Sequence, residues 1–140
     1  MNRTGSMRGA AILEFALAWP VALLLALGCV ELAVWSAESF AARSAALAGA
    51  RAAAVAGSTP QIAALVTIRA LTPSLVGTMA GAWCPGQGGG PPPVWVCAKD
   101  LGPAIQVDVG GSVPALVPVG LGNGLPVHAH VEMQKEAFTT

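Results

Sequence analysis

Between Ala10 and Trp35 the chain carries only two charged residues, Glu14 and Glu31. As a single helix these roughly 26 residues would span about 39 Å at about 1.5 Å per residue, whereas the hydrocarbon core of a bilayer needs about 20 residues. The stretch therefore reads as one membrane crossing. Pro20 stands inside it and removes a backbone donor, so a kink is expected there, of a kind membrane helices tolerate. Trp35 suits an interfacial position at the far end. Composition agrees: 54% of the chain is hydrophobic, 10% is charged and the mean hydropathy is +0.65. A soluble domain carries about 25% charged residues, so this chain is too apolar to present only a water-facing surface.

The flanks orient the crossing. Arg3 and Arg8 precede it with no acid among them, and Glu31 and Glu38 lie at and beyond its end. The basic flank is expected to stay in the cytoplasm, which sends residues 36–140 across the membrane. The cysteines point the same way. Cys84 and Cys97 lie in a Gly/Pro-rich loop, where a disulfide would close a short ring, and such a staple makes sense only in an oxidising compartment. It would contribute about 3 kcal/mol; the other reading is two unpaired thiols. The formal net charge is zero and there is no basic tract, so nucleic acid is excluded as a partner.

Three readings of the N-terminus compete. A cleavable secretory signal has an apolar core of about 7–15 residues followed by a small-x-small cut, but here the apolar run continues much further and Glu14 interrupts its start. A lipoprotein signal would end at Ala26-Leu27-Gly28-Cys29, yet Leu27 is bulky where a small residue is usual, and apolar residues continue past Cys29. A prepilin-type signal accounts for more. A short basic leader, Met1 to Gly9, is followed by Ala10-Ala11-Ile12-Leu13 and then Glu14, with the cut expected between Gly9 and Ala10. Gly9 has no Cβ to obstruct an extended backbone entering a protease site. Arg3 and Arg8 hold the leader at the anionic cytoplasmic face. A carboxylate at the centre of a membrane helix costs about 2.5–3.5 kcal/mol; near the helix end, where Glu14 stands, it costs less.

Three segments, RGAAILEFAL from Arg8, GCVELAVWSAE from Gly28 and SAALAGARAAA from Ser44, together resemble the TadE-like proteins, the minor pilins or pseudopilins of the tight-adherence (Flp-type) pilus machinery. The resemblance is most specific over residues 8–54; Val127 to Glu136 fit a looser C-terminal pattern of late strands ending in Met and Glu. It implies processing by a prepilin peptidase after Gly9, and a Glu14 carboxylate that neutralises the new Ala10 amine of a neighbouring subunit, with Arg8 orienting the leader. It also implies a structural role without enzymatic activity or cofactor, in company with other minor pilins and inner-membrane Tad secretion components. The location it implies is the bacterial inner membrane, single-pass with the N-terminus cytoplasmic and the C-terminal domain periplasmic, and association with the pilus itself is left open.

The remaining sequence predicts a small α+β domain. Its expected organisation is a leader over 1–9, a transmembrane helix over 10–35, a helical extension over 36–57 and a periplasmic domain over 58–140. A second helix should open at Thr59-Pro60, with Thr59 capping it, and stop near Leu71 before Pro73. Ile62, Leu65, Val66 and Arg69 have helical spacing and are expected to face the core. Residues 81–95 are rich in Gly and Pro and read as a loop; its Trp83 and Trp95 either cover the disulfide or form an exposed contact surface. Alternation over Ile105–Val109 and Val127–Met133 predicts an antiparallel pair joined through Pro114–Gly124, burying Ile105, Val107 and Val109 against Val127, Val131 and Met133. The opposite face carries His128, His130 and Glu132; whether Asp108 stands across from them depends on a strand register that the sequence does not give. His-x-His is a zinc-capable spacing and equally what a solvated strand face looks like. No nucleophile–base pair or phosphate loop is present, so the competing class is an unprocessed or lipid-anchored periplasmic binding module, with a zinc-dependent exported enzyme a distant third. The cut-site assignment is checked with Gly9→Leu, which should leave the leader attached in a host carrying the matching peptidase; normal processing by mass spectrometry would sink it.

Overall fold

The computed structural model describes residues 6–55, 58–116 and 124–136, with side chains from Ile12 onward. Helix α1 (Ser6–Ala54) runs for 49 residues and continues through Pro20 without a break. Two halves of this helix meet different surroundings. From Ile12 to Val30 every side chain is exposed; from Glu31 on, one stripe turns inward, and Glu38, Ala42, Ala45, Ala46, Gly49, Ala50, Ala53 and Ala54 are buried. The helix ends at Ala54, short of the expected Gly57; Ala56 and Gly57 lie outside the described residues. Ser58 closes this end, its amide donating to the Val55 carbonyl (3.1 Å) and its hydroxyl to the Ala52 carbonyl (3.0 Å).

Helix α2 (Pro60–Leu71) falls where Pro60 and Pro73 place it, followed by one turn of 3-10 helix over Thr72–Ser74. Thr59 occupies the N-cap with extended backbone, but its side chain makes no capping hydrogen bond. The helix faces the opposite way from the one its bulky residues suggest. Ala63, Thr67 and Leu71 are buried, while Ile62 (42% exposed), Leu65 (66%) and Arg69 look outward and Val66 is half-buried. The reason is the closeness of α1. A Cβ on Gly49 would lie 1.9 Å from Thr67 Oγ1 and 2.6 Å from the Ala63 carbonyl oxygen, so backbone meets backbone at this crossing. Only small side chains fit between axes that near, and the larger ones are turned away. Thr67 spends its hydroxyl on the Ala63 carbonyl one turn back (2.8 Å), so no polar group is stranded in the contact.

Both helices pack on one face of a four-stranded sheet, α1 against β3 and β4 and α2 against β1 and β2. The strands are β1 (Ala80–Ala82), β2 (Val94–Asp100), β3 (Ala104–Val113) and β4 (Leu125–Gln134), in the order β1-β2-β3-β4. The expected antiparallel pair is β3 with β4, in a register that sets Val107 opposite Val131 and Ile105 opposite Met133. Ile105, Val107, Val109 and Val127 are fully buried, whereas Val131 and Met133, on the outer strand, are only half-buried. The expectation of a two-stranded sheet is corrected by β1 and β2, which also take up the two ends, 81–82 and 94–95, of the segment expected to be a loop. Strand β2 does not alternate in polarity because both of its faces are covered. Val94 and Val96 face the helices, and Cys97 on the outer face is also buried. The 117–123 part of the predicted β3–β4 connection lies outside the described residues.

Strand β1 pairs with β2 in parallel, so the chain between them must return along the sheet rather than turn as a hairpin. The return leg lies on β1, where a Cβ on Gly81 would come within 3.1 Å of the Pro92 ring. Cys84 and Cys97 form a disulfide across this excursion, with Cα atoms 4.7 Å apart. At the other end of the sheet the Glu136 amide donates to the Ala54 carbonyl (3.0 Å), tying the end of β4 to the end of α1. The crossing at Gly49 sets the helix spacing on which this layer rests. Gly49→Ala should cost about 1–3 kcal/mol through overpacking, measured by urea unfolding in detergent, and Gly49→Ala with Thr67→Ala should recover part of that loss.

Candidate functional site

Two regions of α1 carry the functional expectations: its beginning, where processing would occur, and the turn at which it joins the domain. Gly9 and Ala10 lie on helical backbone near the start of α1, and the side chains of Arg8 and Ala10 lie outside the described residues, as does Arg3. Glu14 follows on the exposed part of the helix. Side chains on a helix lean toward its N-terminus, so the Glu14 carboxylate reaches back over the turn that begins at Ala10, a rise of about 6 Å. Among the described residues Glu14 makes no hydrogen bond or ion pair.

At the junction, three side chains on one stripe of α1 fasten the helix to backbone groups of the domain. Both carboxylate oxygens of Glu31 accept from the Leu116 amide, Oε1 at 3.1 Å and Oε2 at 2.9 Å. One turn on, the Trp35 indole Nε1 donates to the Pro126 carbonyl (2.9 Å). One further turn on, Glu38, only 3% exposed, accepts the Val76 amide at Oε1 (3.0 Å). Here the two carboxylates occupy loop amides that no strand would otherwise pair. Sequence reasoning used Glu31 and Glu38 only as charges flanking a membrane segment. Their spacing of seven residues, two helical turns, was the available sign that they share a face with Trp35.

The outer face of the sheet holds the remaining candidates. Trp95 lies across Gly110 on β3, where a Cβ would be 2.4 Å from the ring, and Trp83 meets Trp95 edge-on with centroids 5.8 Å apart. Both indoles are half-buried beside the Cys84–Cys97 bridge, closer to the covering role than to an exposed contact surface. Next to them, His130 Nδ1 lies 2.6 Å from Asp108 Oδ1, and Asp108 Oδ2 accepts from Gln106 Nε2 (2.5 Å). His128, His130 and Glu132 project from the exposed face of β4 as their spacing predicts. Among the described residues no three His, Cys, Asp or Glu side chains come together in a way that could hold a metal ion. The outward residues of α2, with Ile62, Leu65 and Arg69 among them, line an open apolar groove together with Thr72 and Pro73.

Asp100, the last residue of β2, accepts from Lys135 Nζ (2.6 Å) and from the Gly102 amide (2.8 Å). The Lys135 bond first, and the Gly102 amide second, hold its carboxyl below the ordinary carboxylate range. The carboxylate is exposed, so this contact fixes the turn rather than the fold.

Comparison with known proteins finds one family, over most of α1. The family model described as TadE-like protein matches residues 9–51, the family that the sequence resembles. The matched region begins at Gly9 and ends at Arg51, so it covers the exposed apolar half of α1, the three fastening residues and the Gly49 crossing. No curated protein and no solved structure matches the chain. The buried fastening at Glu38 has a direct consequence. Glu38→Ala leaves the Val76 amide without its acceptor and should lower stability by about 1–3 kcal/mol, with faster hydrogen exchange in residues 35–42 as the local readout.

Proposed function

We propose that this chain, TadE-like over its first helix, is a membrane-anchored minor pilin that serves the biogenesis of an adhesive Flp-type pilus and is processed by a prepilin peptidase after Gly9. The observation that carries this reading is where the family match begins. It starts at Gly9, the residue after which the cut would fall, and runs through an apolar helix to the Gly49-Ala50-Arg51 element. That element now has a physical meaning: Gly49 permits the close helix crossing, Ala50 is buried beside it, and Arg51 is exposed.

The shape of α1 supports the same role. Its exposed run from Ile12 to Val30 is about 28 Å long, close to the roughly 30 Å of a bilayer's hydrocarbon core. It is the one helix among the described residues long and apolar enough to cross a membrane. The Arg3 and Arg8 flank and the Cys84–Cys97 bridge favour a cytoplasmic N-terminus and a periplasmic domain. In this reading the cut creates an amine on Ala10, and Glu14 of one subunit neutralises the amine of the next as helices gather in the inner membrane. Pairing offsets the cost of placing either charge in hydrocarbon. The partners are the prepilin peptidase, other minor pilins and the inner-membrane Tad components, and the role is structural.

One observation favours the second reading, a lipid-anchored binding module. Cys29 is an exposed free thiol two residues before Glu31, where the domain's contacts begin. The mature N-terminus separates the two. In a host with the matching peptidase, intact mass and N-terminal sequencing should give a chain beginning at Ala10; a start at lipid-modified Cys29, or an intact Met1, overturns the pilin reading. Glu14→Gln should be processed and inserted like the parent yet lose pilus assembly, scored by adhesion and by pilin recovered from sheared cells.

A further inference from the structure

We propose that the pole of the domain formed by Pro114, Leu116 and Pro126 rests on the lipid surface, giving the protein a second membrane contact beside its anchor helix. The inference builds on the reading of Ile12–Val30 as membrane-spanning and goes beyond it, because a spanning helix by itself leaves open how the domain stands above the bilayer.

The placement comes from the junction. The Glu31 side chain leans toward the helix N-terminus, and both its oxygens take the Leu116 amide, so Leu116 is level with the last turn of the exposed apolar run. Trp35 holds the Pro126 carbonyl one turn further on. The end of β3 and the start of β4 are thus both drawn to the place where α1 leaves its apolar stretch. The opposite end of the sheet is remote: β3 is ten residues, about 33 Å, long, and the strand ends beyond it are tied to Ala54 at the far end of α1.

The chemistry of this pole suits lipid. Leu116 is 51% exposed, and Pro114 and Pro126 are exposed beside it. Between Asp108 and Glu132 the sequence contains no Asp, Glu, Lys or Arg. A backbone entering the headgroup region is costly when its amides are unpaired. Here the Leu116 amide is already taken by Glu31, and the two prolines have none to offer. The Trp35 N–H and the Pro126 carbonyl satisfy each other, leaving the indole where aromatic residues favour the interface. The occupant we assign is the bilayer rather than a protein, because Leu116 is continuous with the exposed helical surface that already calls for lipid.

Site-directed spin labelling of the full chain in phosphatidylcholine/phosphatidylglycerol vesicles tests this. Cys29→Ser provides the background, the Cys84–Cys97 disulfide is kept, and single labels are placed through Leu116→Cys, Leu24→Cys and Leu101→Cys. Leu24 reports the anchor, and Leu101, 46% exposed in the β2–β3 turn, reports the remote end. The ratio of accessibility to oxygen over accessibility to a water-soluble nickel chelate should be several-fold higher at 116 than at 101. A ratio at 116 equal to that at 101, with 24 in lipid, overturns the second contact and leaves the anchor standing. Shielding of 116 from both reagents marks a protein neighbour and also overturns it. A water-accessible label at 24 removes the anchor reading together with this one.

Discussion

One helix has to live in two environments, and the rest of the structure follows from how it changes over between them. From Phe15 to Val30 the surface of α1 is apolar on every side; after Glu31 a stripe of alanines and Gly49 becomes the floor of a small core. No linker separates the halves. The change is made by three side chains, Glu31, Trp35 and Glu38, that capture backbone groups of the domain over two successive helical turns. Beyond them the stripe is built of the smallest residues available, so α2 can approach until its Ala63 carbonyl and Thr67 hydroxyl fill the space a side chain on Gly49 would need.

That closeness explains what was and was not legible in the sequence. The bounds of α2 were plain, because Pro60 and Pro73 punctuate it. Its inward face was misread, because large apolar residues at helical spacing usually mark the core. Where two backbones touch, the core side of a helix carries the small residues, and Ile62 and Leu65 are the ones left outside. The alternation over Ile105–Val109 and Val127–Met133 identified β3 and β4 because one face of each meets the helices and the other meets water. Strand β2 escaped the same reasoning because its outer face is roofed by Trp83, Trp95 and the disulfide, so Trp95 and Cys97 are as apolar as Val94 and Val96. Three residues of Ala-Gly-Ala in β1 carry no pattern at all.

The candidate site was legible in proportion to how local its chemistry is. Gly9 and Glu14 belong to one short motif, and the family match begins at the first of them. His130 and Asp108 come from strands whose register only the fold supplies, and it brings them to 2.6 Å of each other. Glu31 and Glu38 were visible as charges but not as fasteners, since their partners, the amides of Leu116 and Val76, are distant in sequence and carry no side-chain signature.

Because the helix passes from its apolar half to the domain without a hinge, the direction in which the domain faces is a matter of residue count. Each residue of α-helix turns the chain by about 100° and raises it by about 1.5 Å. The bearing of the sheet around the helix axis is therefore locked to the side of the helix that carries Glu14, as the hands of a clock are locked to one spindle. Subunits whose helices align side by side would present their domains at one fixed heading.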